Sequence, residues 1–150
     1  MFLNNFLYWT DRVPESPNCI GSHKKIDMCL SPLMVFREGR LVSALGTPGS
    51  WGIEQTSVQF LTNVLDYGMN IQAAIEAPRV RMMDAGRKVM MEGRIPKEVR
   101  DGLQQKGHVI DLLEDFAIVV GGAHGITVDE GGKALMGGAD PRRDGYVLGI

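Results

Sequence analysis

The chain has 150 residues, of which 44% are hydrophobic, and its 16 Lys and Arg against 18 Asp and Glu give a net charge of -2. A domain of this length buries about 68–70% of its unfolded surface, so it requires neither disulfides nor a metal. The charge balance excludes a broad nucleic-acid surface, and no run approaches the ~18–20 apolar residues of a membrane helix. We therefore predict one soluble domain over residues 1–150, without metal or cofactor, whose partners are small molecules or proteins.

The first third of the chain alternates strand-like runs with turns. Residues 1–9 are rich in aromatic and apolar residues and predict a short strand running into a turn, and residues 10–25, rich in Pro, Gly and Ser, predict an irregular loop. Two apolar runs at 33–37 and 40–45 flank Glu38-Gly39, a pattern typical of a β-hairpin. This part of the chain is therefore predicted to be mostly β.

Helices and strands are mixed in the rest of the chain. Helical spacing predicts a helix over 53–67, stopped by Gly68, and a second over 71–77, capped by Asn70 and ended by Pro78. A third helix is predicted from Pro96 to Lys106, closed by Gly107. The remaining apolar runs predict strands, at 79–83, 88–92, 108–113, 116–120, 125–128 and 134–136. The order predicts an α+β fold.

The glycine-rich residues 46–52, between a predicted strand and a predicted helix, are the most informative local feature. Such a loop exposes unpaired N–H groups at the positive end of a helix and can bind an anion. The spacing of its glycines matches neither a Walker loop nor a dinucleotide fingerprint. Two alternatives stay open: a tight turn without a ligand, or an oxyanion hole made by the amides of Gly49 and Ser50.

Other candidate residues favour structural interpretations. Ser50 does not lie in a nucleophile elbow, and Cys19 and Cys29 match no zinc spacing, so we interpret all three as ordinary residues. Opposite charges surround a proline at 140–145, for which we expect local ion pairs, although its two arginines could also face an anionic ligand.

Seven motifs along the chain, taken in order, carry a resemblance to a known family. They are Leu3-Asn4-Asn5, Ser31-Pro32, Gly46-Thr47-Pro48-Gly49, Asp66-Tyr67-Gly68-Met69-Asn70, Glu76-Ala77-Pro78-Arg79, Gly107-His108 and Gly138-Ala139-Asp140-Pro141-Arg142. From residue 2 to its end, the chain resembles the C-terminal part of the small subunit of the γ-glutamyltranspeptidase family. The resemblance implies part of the αββα sandwich of the N-terminal-nucleophile hydrolases.

The resemblance also implies a chemistry. In this family an N-terminal threonine attacks a γ-glutamyl amide, its own amine assists proton transfer, and the acyl group passes to water or to an amino acid. That threonine precedes the LNN motif, whereas Thr10 follows it, so Thr10 does not take the role. We therefore expect the chain alone to be inactive, with Gly49 and Ser50 as its catalytic contribution through their amides.

The implied substrate-binding positions depart from the family pattern. They are Asn5, Phe6, Trp9, Met28 and Cys29. Phe6 and Trp9 replace a polar residue and an acid that grip the substrate amine, and Met28-Cys29 replaces a serine pair that holds its carboxylate. A hydrogen bond to a charged group contributes about 1.5–3 kcal/mol, so these changes predict a more apolar acyl group than free γ-glutamate.

The expected partners follow from the same resemblance. They are the missing N-terminal, large-subunit portion, a small γ-glutamyl or acyl amide, and further copies of the chain, associated through an edge near residues 1–9. Family members are often periplasmic or extracellular, and the compartment of this chain stays open. Two alternatives remain: a non-catalytic binding or scaffold domain for a small carboxylate-bearing ligand, in which Phe6 and Trp9 stack on that ligand, and a decayed gene product without activity.

Overall fold

The computed structural model describes residues 5–83, 88–129 and 131–149. It contains two compact units, Met1–Leu30 and Ser31–Ile150, which are described separately below. The interpretation of residues 1–150 as one domain stays a prediction. Among the helices in these ranges, none combines the length and the apolar character needed to cross a membrane.

In the first unit the described residues begin with a 3-10 turn, Phe6–Trp9. The Tyr8 N–H donates to the Asn5 carbonyl at 3.0 Å, and the Thr10 hydroxyl donates to the Leu7 carbonyl at 2.7 Å. These local bonds use backbone groups that a strand would offer to a neighbour, so residues 6–9 form the predicted turn and not the predicted strand. Residues 1–4, which complete it, lie outside the described residues.

The predicted loop at 10–25 is confirmed, and side-chain amides organise it. A single β-bridge joins Asp11 to Cys19. The Asn18 side chain donates to the Trp9 carbonyl at 2.7 Å and accepts from the Asp27 N–H at 2.9 Å. An asparagine therefore joins three separate stretches of irregular backbone, which makes loop structure possible without a sheet.

A four-stranded antiparallel sheet forms the first part of the second unit, in the order β1-β2-β6-β7. Its strands are β1 Leu33–Arg37, β2 Arg40–Gly46, β6 His124–Val128 and β7 Leu135–Ala139. The hairpin at Glu38 and Gly39 is confirmed, with φ of 51° and 76° at these two residues. Both central residues of a type I′ turn need positive φ, which explains the glycine.

A three-stranded sheet in the order β3-β4-β5 forms the second part. It contains β3 Val80–Arg81, β4 Lys88–Glu92 and β5 Val109–Leu113, and β4 and β5 are parallel. Parallel neighbours need a crossover connection, and helix α3, Lys97–Gln105, provides it. Val89, Met91 and Ile95 form a small buried cluster in this part of the unit.

The larger core lies between the four-stranded sheet and two helices, α1 Ile53–Leu65 and α2 Ile71–Glu76. Asn70 caps α2 as predicted, because its side-chain oxygen accepts the Ala73 N–H at 2.9 Å. The buried residues of this core are Leu45, Phe60, Ile71, Ala74, Ile75 and Ala123. Local signals therefore placed both helices well, within two residues at each end.

The predicted strand at 116–120 is wrong. Ile118–Val120 is a 3-10 turn, followed by Gly121 with φ of 100°. The run is apolar and β-branched, yet it pairs with none of the described strands. Its carbonyls are held by arginine side chains, as described below, so tertiary contacts override the local β preference.

Candidate functional site

Residues 46–52 leave β2 and turn sharply into helix α1. Gly49 has φ of 153°, Ser50 has φ of 55°, and Ser50–Gly52 forms a 3-10 turn closed by the Gly52 N–H on the Gly49 carbonyl at 3.0 Å. Within the described residues, neither the Gly49 N–H nor the Ser50 N–H donates a hydrogen bond, and both residues are half-buried. Two adjacent amide donors are thus left for a ligand or for water.

A threonine joins this loop to a second stretch of backbone. The Thr47 hydroxyl accepts the Gly122 N–H at 3.1 Å and donates to the Pro48 carbonyl at 2.8 Å. At Gly121 a Cβ would lie 2.8 Å from the Thr47 hydroxyl oxygen and 3.1 Å from the Pro48 carbonyl oxygen. Only glycine fits this approach, because its φ is positive and the space is filled.

Three arginines hold successive carbonyls of the 3-10 turn that precedes Gly121. Arg143 donates to Ile118 at 3.3 Å, Arg81 to Val119 at 2.6 Å and Arg79 to Val120 at 3.4 Å. The Thr56 hydroxyl, on α1, also donates to the Val120 carbonyl, at 2.9 Å. The turn that supports the glycine-rich loop is therefore fixed from several elements at once.

Four buried charged residues form the centre of this network. Arg142 pairs with Glu92 at 2.5 Å and with Asp140 at 3.1 Å, and Arg79 pairs with Asp140 at 2.7 Å. The two carboxylates also accept backbone N–H groups at 2.9 Å and 2.8 Å, from Ala117 and Ala123. The cluster therefore holds both ends of the segment that contacts the candidate loop.

The charges of the cluster stabilise one another. Burial by itself would raise the pKa of Glu92, but hydrogen bonds from Arg142 and from the Arg79 backbone outweigh it, so this pKa lies below its ordinary value. The pKa of Asp140 is lowered in the same way, because its burial is outweighed by the Arg142 backbone N–H and by the charges of Arg79 and Arg142. Both carboxylates therefore stay ionised although they are buried.

The local ion pair expected at 140–145 is confirmed by Asp140 and Arg142, but the larger cluster was missed. The missed residues are Arg79, Arg81 and Glu92, which lie in apolar runs predicted to be strands. Charged residues in such runs are normally predicted to face solvent. The sequence pattern does not indicate that these three side chains are buried. Arg142 is enclosed by Glu92 and Asp140, whereas Arg143 is exposed.

The predicted substrate-binding residues all lie in the first unit. Asn5 precedes the 3-10 turn that carries Phe6 and Trp9, and Trp9 packs edge-on against Tyr8 with ring centres 5.7 Å apart. Met28 is half-buried and Cys29 is a buried free thiol. Their substrate-binding role stays a prediction. Across the described ranges, no group of three or more His, Cys, Asp or Glu side chains is placed to hold a metal ion.

Solved structures match this architecture closely. A crystal structure of cephalosporin acylase from Bacillus halodurans superposes with a TM-score of 0.85 at 27% sequence identity, over 94% of this chain and 26% of that chain. The γ-glutamyltranspeptidase T380A mutant of Helicobacter pylori gives 0.81 at 29% identity, over 94% of this chain and 81% of that chain. The α+β fold predicted as part of an N-terminal-nucleophile hydrolase sandwich is thereby confirmed.

Sequence comparison gives the family. The family model described as gamma-glutamyltranspeptidase matches residues 3–150, and the chain belongs to this family. The glutathione hydrolase-like YwrD proenzyme of Bacillus subtilis (strain 168) is 37% identical over 137 residues, which are 89% of this chain and 26% of that protein. The acylase ACY 1 proenzyme of Pseudomonas sp. (strain V22) is 34% identical over all 150 residues, again 26% of its length. The chain thus spans about a quarter of these relatives.

Proposed function

We propose that this chain is part of a γ-glutamyltranspeptidase-like acyltransferase or amidohydrolase, to which it contributes the oxyanion loop and part of the acyl pocket. One observation carries the proposal: within the residues that the family model matches, the adjacent N–H groups of Gly49 and Ser50 donate no hydrogen bond to the described backbone. Amides in this arrangement stabilise the negative charge that develops on a carbonyl oxygen during acyl transfer.

The attacking hydroxyl comes from a threonine outside residues 1–150. Its oxygen attacks the substrate carbonyl while its own amine takes the hydroxyl proton, and that proton passes to the leaving amine as the C–N bond breaks. Water or the amine of an amino acid then cleaves the resulting ester. Gly49 and Ser50 hold the carbonyl oxygen in both steps, so the isolated chain has the charge-stabilising groups but not the nucleophile.

The acyl group is more apolar than γ-glutamate. Phe6, Trp9, Met28 and Cys29 replace groups that would hold the amine and the carboxylate of a glutamyl substrate. The relatives include proteins named acylases as well as glutathione hydrolases, so their names are not limited to glutathione as a substrate. An amide with a neutral, apolar acyl group is therefore the proposed substrate.

The remainder of the longer protein is the proposed partner. On one of its faces the four-stranded sheet presents large apolar side chains to solvent, among them Met34 (69% exposed) and Ile126 (44%), which lie in the same cross-strand row. A sheet face of this kind is normally covered by another layer. If the full protein is as long as its relatives, the remaining three quarters of it could cover this face and remove it from water. In the isolated chain the same face would drive self-association.

Kinetics on the longer protein test the proposal. We expect a higher kcat/KM for the p-nitroanilide of an apolar acyl group than for γ-glutamyl p-nitroanilide. Efficient turnover of the γ-glutamyl compound would refute the apolar pocket. If no amide at all is turned over, while the Gly49 and Ser50 amides still bind acetate, the chain is a carboxylate-binding domain instead.

A matched pair of variants tests the loop itself. Thr47→Val removes the oxygen that accepts the Gly122 N–H, whereas Thr47→Ser keeps it. Loss of one oxyanion donor costs about 100- to 1000-fold in kcat, so even partial misplacement of the loop by Thr47→Val should lower kcat at least about tenfold with little change in KM. Thr47→Ser should stay near wild type. Equal kcat in all three proteins would contradict the oxyanion role.

A further inference from the structure

Arg81 carries a buried charge without a counter-ion in the described part of the chain. Five charged side chains are buried there, namely Arg79, Arg81, Glu92, Asp140 and Arg142. Four of them pair with one another, as described above. Arg81, only 6% exposed, donates from Nη1 to the Val119 carbonyl at 2.6 Å, and its buried Nε has no hydrogen-bond partner among the described residues.

The guanidinium of Arg81 lies against the turn that carries the two candidate amides. A Cβ placed on Gly52 would be 2.7 Å from Arg81 Nε and 2.9 Å from its Cζ. Gly52 belongs to the same 3-10 turn as Ser50, and its N–H closes that turn on the Gly49 carbonyl. The positive charge therefore sits directly behind the candidate oxyanion loop.

The backbone of Arg81 is fixed by two glutamines of helix α1. Gln55 exchanges two hydrogen bonds with the backbone of Met82, at 2.9 and 2.8 Å. Gln59 exchanges two with the backbone of Val80, at 3.0 and 2.9 Å. Because the residues on both sides are tied to the helix that follows the loop, Arg81 has a defined position relative to that loop.

A buried charge is costly unless an opposite charge compensates it. Among the described residues, Glu92 and Asp140 already pair with arginines other than Arg81, so neither of these buried carboxylates balances the charge of Arg81. A negative oxygen at the Gly49 and Ser50 amides would provide the compensation. The attraction is strong because Arg81 and Gly52 of the turn are both buried, where the effective dielectric constant is low.

We propose that Arg81 is a positioning residue whose charge makes the Gly49–Ser50 turn selective for anionic oxygen, either the oxyanion of the reaction or a carboxylate. The inference rests on the proposed function and deepens it, since it assigns a role to a residue that need not touch the substrate. The same arginine orders the supporting turn through Val119.

Acetate is a suitable probe, because a carboxylate oxygen resembles the oxyanion in charge. We suggest titrating the complete ¹⁵N-labelled chain with sodium acetate at constant ionic strength and following the Gly49 and Ser50 amide signals. Wild type should show a saturable shift of both signals. Arg81→Gln should weaken acetate binding about tenfold, and Arg81→Lys, which keeps the charge, should restore most of it.

A control separates a local effect from a change in net charge. Lys97→Gln removes one positive charge from an exposed pair on α3, where Lys97 is 72% exposed, and should leave acetate binding unchanged. A loss equal to that of Arg81→Gln would mean that net charge explains the effect, and would overturn the inference.

The remaining outcomes are distinguishable. No saturable shift in wild type would refute the oxyanion loop itself. A shift in wild type that Arg81→Gln leaves unchanged would refute only the role of Arg81, as would equal losses in the Gln and Lys variants. If Arg81→Gln does not fold, Gly52→Ala keeps the charge but crowds the guanidinium, and unchanged acetate affinity in this variant would also contradict the inference.

Discussion

Replacement of Glu92 by glutamine tests the buried cluster that supports the candidate loop. Glu92 is fully buried, and its two oxygens accept five hydrogen bonds. Oε1 accepts from Ala117 and Arg142, and Oε2 accepts from Arg79, Arg94 and Arg142. Whichever way the new amide is oriented, its NH₂ group faces at least two donors.

The expected loss is large relative to the stability of a small domain. Breaking a buried ion pair by removing one partner costs about 3–5 kcal/mol. Natural domains have a free energy of unfolding of about 5–15 kcal/mol, so Glu92→Gln removes a substantial fraction of it. At about 2–4 °C per kcal/mol for a chain of this size, the melting temperature should fall by about 6–20 °C.

Urea denaturation followed by tryptophan fluorescence measures this loss. Asp101→Asn is the matched control, because it changes a carboxylate to an amide in an exposed pair with Lys97 and should cost less than about 1 kcal/mol. A loss below about 1 kcal/mol in Glu92→Gln as well would refute the view that this cluster stabilises the unit.

The difference in stability between wild type and Glu92→Gln should change with pH in a defined direction. The pKa of Glu92 is lowered in the folded protein, so its ionised side chain contributes fully to stability above the pKa of glutamate in the unfolded chain, about 4.3. This contribution is lost as the pH falls through the folded pKa. The stability difference between wild type and Glu92→Gln should therefore be constant near pH 7 and shrink on acidification below about pH 4. A difference that grows on acidification would contradict the assignment.

Three further changes test local features by urea denaturation. Ser50→Gly should stabilise the chain by about 1 kcal/mol, because φ of 55° is unfavourable for a residue with a Cβ, and a loss would show that the serine side chain holds the turn. Gly121→Ala should destabilise it by more than about 2 kcal/mol, whereas Gly102→Ala in α3, which meets nothing within 4 Å, should gain about 0.5–1 kcal/mol. Asn70→Ala should cost about 1 kcal/mol through the lost cap of α2, and no loss would contradict the capping role.

Local chemistry in the sequence determined much of the second unit. Glu38-Gly39 predicts the hairpin, and Gly68, Asn70 and Pro78 set the limits of the two helices, because each signal acts on backbone within a few residues. The ordered motifs indicated the family that the comparisons establish. The glycine-rich loop was also visible from sequence, since glycine spacing before a helix is a local pattern.

Only the tertiary structure decided which charges are buried and what they support. Glu92 and Arg142 lie 50 residues apart, and no local pattern pairs them. Residues 118–120 look like a strand, but their carbonyls are taken by arginines from distant segments. The burial of Arg81 next to Gly52 likewise depends on long-range packing, because burial and pairing are properties of the folded chain and not of any short stretch of it.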